Sequence, residues 1–107
     1  MRASKLWTLA KGMDGFCPVS EEVVTDIDVS SVNVRCWVDG DLRQDSNTER
    51  MVFSPAYVVS FISRYMTLCP GDLIATGTPA GVGPLVHGSS MRMEIEGVGC
   101  LTAIVRE

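Results

Sequence analysis

Between Gly71 and Pro84 the chain reads Gly-Asp-Leu-Ile-Ala-Thr-Gly-Thr-Pro-Ala-Gly-Val-Gly-Pro, a short apolar run that empties into a loop of glycines, prolines and hydroxyl groups. Gly77, Gly81 and Gly83 let the backbone turn with positive φ or come close to a ligand, while Pro79 and Pro84 stiffen its path. Such a loop can hold Gly77, the Thr78 hydroxyl and adjacent N–H groups toward an oxyanion or a carboxylate. Glycines that only turn the chain would leave the same signature, so the loop alone does not establish a site. Two phosphate motifs are excluded. No Lys-Ser/Thr follows a glycine at P-loop spacing, and Val86 stands where a GxGxxG motif begun at Gly81 needs glycine. Nucleotide binding is disfavoured.

Lys11 is the second residue whose setting invites chemistry. It follows Leu6, Trp7, Leu9 and Ala10 and precedes Gly12, so its stem can run along an apolar wall with its ammonium group entering a cleft. A solvated lysine is the competing reading. His87, the only histidine, precedes Gly88 in a loop and reads as a surface residue rather than a base. Cys17, Cys36, Cys69 and Cys100 form no CxxC pair, which leaves zinc and redox motifs unsupported and points to free thiols, with Cys36 and Cys100 as small apolar strand residues. Glu94-Ile95-Glu96 puts two carboxylates on one strand face about 7 Å apart, a spacing that could share a cation. Arg92 on the same face offers charge compensation without a metal. The acidic stretch Ser20 to Ser31 reads as a surface connection.

The elements that must position these residues are mostly strands. Val32, Val34, Cys36 and Val38 alternate with Asn33, Arg35 and Trp37, and Asp39-Gly40 is a type I′ hairpin signal ahead of Leu42. Ser54 can cap a helix and Pro55 suits its first position; Val58, Phe61, Ile62, Tyr65 and Met66 then recur at helical spacing, which predicts a helix from about Ser54 to Met66. Leu73 to Ala75 is short enough for a buried strand. Met91, Met93 and Ile95 alternate with Arg92, Glu94 and Glu96, Gly97-Val98-Gly99 turns the chain, and Cys100 to Val105 returns as the partner strand. The expected fold class is therefore α+β, strand-dominated, with one main helix.

Composition bounds the function. A chain of 107 residues can form one core, with no room for a second domain. A net charge of −4 argues against nucleic-acid or anionic-membrane binding through a general field, while leaving a local basic pocket for an acidic metabolite open. No stretch approaches the roughly 20 apolar residues of a membrane-spanning helix. Met1 to Met13 lacks the apolar core of a signal peptide, and Ser4-Lys5-Leu6 is internal and cannot serve as a carboxy-terminal peroxisomal signal. A cytoplasmic location is the default expectation.

Extended outward from the Thr78 loop, the chain resembles the fumarylacetoacetate hydrolase family, in the carboxy-terminal part of its catalytic domain. The resemblance runs through Trp7 to Lys11, Asp14 to Val19, Val38 to Asp45 with Asn47-Thr48, Met51 to Ser54, Met66 to Leu68, Pro70 to Asp72, the Thr78 loop, and Glu94 to Gly99. Separate blocks in one order over nearly the whole chain are stronger evidence than any single motif. The acylpyruvase and oxaloacetate decarboxylase branch is the most similar. The resemblance implies a partial mixed β-roll, with residues 1–107 as the carboxy-terminal portion of the domain.

The same resemblance implies an active-site role for Lys11, whose charge would stabilise a carboxylate, an enolate or a developing oxyanion, with Gly77 and Thr78 as substrate-binding partners. It implies Mg²⁺ or Mn²⁺ held by a Glu-x-Glu pair and an Asp upstream of the lysine, and a lid with a His and Glu pair, none of which this sequence contains. Glu94 and Glu96 match the family's terminal hairpin and not its metal site. Arg43, Gln44 and Thr48 match a further block without an assigned role. Mitochondrial relatives make an organelle a second candidate location.

The expected function is thus a partial subunit of a metal-dependent hydrolase or lyase that cleaves C–C bonds of 2-oxo acids, by acylpyruvate hydrolysis or oxaloacetate decarboxylation. The isolated chain is expected to be inactive, and its partners to be a small 2-oxo acid and either a second copy or a complementing amino-terminal fragment. The alternative is a non-catalytic remnant acting as a binding or dimerisation module. Lys11 and Thr78 are expected to meet at the mouth of one pocket.

Overall fold

The computed structural model describes residues 6–107; Met1 to Lys5, and with them most of the Ser4-Lys5-Leu6 sequence, lie outside the described residues. A short helix α1 (Trp7–Lys11) leads through irregular chain to strands β1 (Asn33–Val38) and β2 (Asp41–Asn47). A 3-10 turn (Thr48–Arg50), the main helix α2 (Pro55–Ser63) and a long loop then lead to β3 (Ser90–Ile95) and β4 (Gly99–Ile104). The four strands form one antiparallel sheet in the order β2-β1-β3-β4. The strand-dominated α+β arrangement is the expected one.

Local chemistry sets both hairpins. Asp39 and Gly40 adopt φ of 52° and 88°, the left-handed pair a type I′ turn requires, and Val38 faces Asp41 across it. At the other end Ile95 faces Gly99, and the Val98 N–H donates to the Ile95 carbonyl at 3.0 Å. The alternating apolar residues of β1 bury Cys36 and Val38, with Val32 just ahead of the strand, and among the described residues these three make up the buried apolar core. Thr48 ties the entrance of β1 to the exit of β2. Its N–H donates to the Val32 carbonyl at 3.0 Å, and its hydroxyl accepts from the Val32 N–H at 2.9 Å while donating to the Val29 carbonyl at 2.8 Å.

Helix α2 begins where expected, with the Ser54 hydroxyl accepting from the Tyr57 N–H at 3.2 Å and Pro55 in the first turn. The regular helix stops at Ser63, and the N–H groups of Tyr65 and Met66 both return to the Ile62 carbonyl, extending a tightened last turn. Pro55, Val58 and Ile62 are half-buried. Tyr57, Phe61 and Tyr65 lie exposed and, with Phe53, form a continuous row of rings with centroids 5.0, 6.4 and 5.2 Å apart.

Two expectations fail. Leu73 to Ala75 forms no strand and Leu73 is 68% exposed, because the run finds no backbone ladder among the described residues. Cys100 is exposed rather than packed as a small apolar residue, since it lies near the turn on the edge strand β4 and not on the covered part of the sheet. All four cysteines are free. No helix among the described residues is long and apolar enough to cross a membrane.

Candidate anion-binding site

The Thr78 loop is anchored by an irregularity in β2. Cys36 pairs with Gln44 and Trp37 with Leu42, so Arg43 is an extra residue without a partner in β1, a β-bulge. The Arg43 carbonyl oxygen packs against Gly81 so tightly that a Cβ at that position would collide with it, and Gly81 has φ of 106°. Only glycine fits both conditions. The neighbouring Gln44, half-buried, reaches the same loop, and its Nε2 donates to the Thr78 hydroxyl oxygen at 2.7 Å and to the Pro79 carbonyl at 2.9 Å. Side-chain hydrogen bonds and a backbone contact thus hold the loop against β2.

Thr76, Gly77, Thr78 and Pro79 form one side of an open cleft of about 660 Å³. Its other walls are mostly apolar, with Val32, Val34 and Ile95 on the sheet side and Pro55 with Val58 from α2, and are interrupted by the polar Ser46, Asn47 and Thr48. Arg50, exposed at the end of the 3-10 turn, is the only charged residue among the described residues that line it. An apolar cleft with one cation and a rim of hydroxyl and glycine backbone suits a small organic anion with an apolar portion.

The expected site residues are placed unequally. Gly77 and Thr78 line the cleft, whereas Lys11 does not and ends an exposed helix, its ammonium group making no hydrogen bond or ion pair with a described residue. The apolar wall expected beneath its stem is not formed by its own helix, since Trp7 is 73% and Leu9 57% exposed. Glu94 and Glu96 are engaged separately: Arg92 Nη2 donates to Glu94 at 2.8 Å, and Glu96 accepts from the Asn33 N–H at 3.1 Å and from Asn33 Nδ2 at 2.8 Å. Among the described residues no three His, Cys, Asp or Glu side chains gather as a metal site. His87 Nδ1 accepts from the Glu107 N–H at 3.1 Å, a tie to the end of the chain. Sequence reasoning left Gln44 without a role and did not single out Arg50. Nothing local announces that either one faces the Thr78 side of the fold.

Comparison with known proteins gives this geometry its context. The family described as Fumarylacetoacetate (FAA) hydrolase C-terminal matches residues 1–106. A mitochondrial oxaloacetate decarboxylase of Dictyostelium discoideum is 44% identical over 94 residues, covering 86% of this chain and 43% of that protein. The crystal structure of a 2-hydroxyhepta-2,4-diene-1,7-dioate isomerase from Mycobacterium marinum superimposes with a TM-score of 0.91 at 48% identity, covering 94% of this chain and 40% of the other. A maleylpyruvate hydrolase from Sphingobium sp. SYK-6, solved with manganese(II) and pyruvate, superimposes with a TM-score of 0.83 at 42% identity, covering 87% and 36%. The chain therefore spans less than half the length of these relatives. With blocks in one order, a matching fold and this degree of identity, the chain belongs to the fumarylacetoacetate hydrolase family.

Proposed function

We propose that this chain is a partial subunit of a metal-dependent hydrolase or lyase that cleaves C–C bonds of 2-oxo acids, by acylpyruvate hydrolysis or oxaloacetate decarboxylation. The observation that carries the reading is the braced Thr78 loop at the rim of a mostly apolar cleft. In this reading Gly77 and Thr78 donate hydrogen bonds to the carboxylate or keto oxygen of the substrate, and Lys11 adds positive charge as electron density moves onto an enolate oxygen. The pyruvate and manganese bound to the Sphingobium hydrolase support the substrate class and the use of a divalent cation in the family. The described residues do not fit that cation, because Glu94 and Glu96 are committed to Arg92 and Asn33 and no third ligand joins them. Its ligands would come from outside the described residues, as an amino-terminal fragment or a longer partner.

One observation favours a second reading, a non-catalytic binding or dimerisation module. The exposed row of Phe53, Tyr57, Phe61 and Tyr65 is an apolar face of the sort that association covers. The two readings separate in one assay. The purified chain is given oxaloacetate or an acylpyruvate with Mg²⁺ or Mn²⁺, alone and mixed with the amino-terminal fragment of a complete relative, while light scattering follows assembly. Turnover only in the mixture supports the partial subunit. Metal-dependent turnover by the chain alone would defeat that part of the proposal, and a stable complex without turnover would favour the module.

A further inference from the structure

We infer that Gln44 is a positioning residue that sets the direction of the Thr78 hydroxyl proton. The Pro79 carbonyl oxygen only accepts, so the end of the Gln44 carboxamide lying 2.9 Å from it is the NH₂ group and not the oxygen. That same nitrogen lies 2.7 Å from the Thr78 hydroxyl oxygen. Having no acceptor capacity, it donates there as well, and the hydroxyl oxygen accepts. The proton of Thr78 is thereby left free, with no acceptor among the described residues, on a side chain that lines the cleft. A hydroxyl held in this way is a committed donor, the polarity that recognition of a carboxylate or enolate oxygen requires, and its oxygen is polarised by the bond it already accepts.

The surrounding chain keeps this arrangement from relaxing. The bulge at Arg43 seats Gly81 against the β2 backbone, so the loop is held at Gly81 as well as at Thr78 and Pro79. The inference rests on the proposed anion-binding role of Gly77 and Thr78 and deepens it: the loop would discriminate for oxygen anions and against ligands that must donate to Thr78. Nothing in it depends on Lys11 or on a metal.

The test is a double-mutant cycle on the full chain, with pyruvate as the probe and the amide resonances of Gly77 and Thr78 as the readout. Gln44→Met removes the donor at nearly constant length without adding charge, and Thr78→Val removes the hydroxyl. Each single substitution is expected to raise the Kd for pyruvate about three- to tenfold, the range for loss of one ordinary hydrogen bond. The double variant should bind no more weakly than Thr78→Val alone, because Gln44 acts through the hydroxyl. A merely structural tether would weaken binding independently, and the two effects would multiply. That result, or wild-type affinity in Gln44→Met, would overturn the inference. If the wild-type chain shows no pyruvate-dependent shift at Gly77 or Thr78, the anion-site reading fails first and this inference falls with it. Should Gln44→Met misfold, the wild-type carboxamide decides: its two NH₂ protons should be separately resolved and slow to exchange, with only one moving in Thr78→Val. Solvent-like behaviour of both protons would refute the clamp.

Discussion

The Thr78 loop and the Lys11 segment are both largely exposed and outside the sheet, but only the loop is fixed to it. Two hydrogen bonds from Gln44 and the close seat of Gly81 on Arg43 define where Thr78 stands. Lys11 ends a five-residue helix with no side-chain cap and no buried residue. A helix that short has almost no stability of its own, because nucleation fixes several residues for few hydrogen bonds. One side of the proposed grip is therefore built by contacts internal to this chain. The other has no such support from its own helix, where Trp7 and Leu9 lie exposed.

The largest expected effect falls on the loosely held side. In an enzyme reconstituted with an amino-terminal fragment, Lys11→Met should reduce kcat/KM by about 2 to 4 kcal/mol in transition-state stabilisation, the magnitude for losing one donor to a developing oxyanion. In the isolated chain the same substitution should leave the unfolding midpoint unchanged, since the ammonium group has no partner among the described residues. Unchanged kcat/KM would remove Lys11 from the proposed mechanism. A loss of stability in the isolated chain would show that its placement is internal after all, and the contrast with Thr78 would disappear.

Gly81→Ala addresses the fixed side and should have the opposite profile. The new methyl group meets the Arg43 carbonyl oxygen, at a φ of 106° that side chains rarely adopt, so the loop must lift from β2. A backbone forced into such a region costs about 1 to 3 kcal/mol, before any clash is counted. Relief by lifting limits the damage to the sheet. Hydrogen exchange should therefore quicken at Gly77 to Gly81 while the β1 and β3 amides keep their protection. Unaltered exchange in the loop would mean that the bulge does not seat it.

What could be read from the sequence follows the reach of each interaction. The Asp39-Gly40 turn and the Ser54-Pro55 helix start are local rules, and both elements begin where those residues put them. The β2 bulge left no local sign, and Gln44 meets Thr78 across 34 positions, so the contact that organises the site depends on tertiary placement. Leu73 to Ala75 misled for the same reason, because a strand needs a partner that an apolar run cannot announce. In α2, helical spacing correctly grouped Val58 and Ile62 but also Phe61 and Tyr65, which face outward. Periodicity reports which residues are apolar, and packing decides which of them are covered. The resemblance to the family supplied Lys11, Gly77 and Thr78 as candidates; the geometry brings only Gly77 and Thr78 into the cleft.

The smallest expected effect lies on the connection between the two regions. The Ser30 N–H donates to Asp28 Oδ1 at 2.9 Å, and this backbone hydrogen bond, with a lesser contribution from the Ser30 hydroxyl, lowers the Asp28 pKa below its ordinary 3.8. A carboxylate whose pKa is depressed by folding adds stability that is present above its ordinary value and is lost as the pH falls through the folded one. Full exposure to solvent keeps that contribution small. Asp28→Asn retains an acceptor oxygen but has no proton to gain, so the variant should lack this acid-side loss while matching the wild-type chain near neutral pH. Carboxyl titration by NMR supplies the direct check: an Asp28 midpoint at or above 3.8 would mean that the turn is not formed in solution. A midpoint below it would agree with a formed turn ahead of β1, close to the Val29 carbonyl that accepts from the Thr48 hydroxyl.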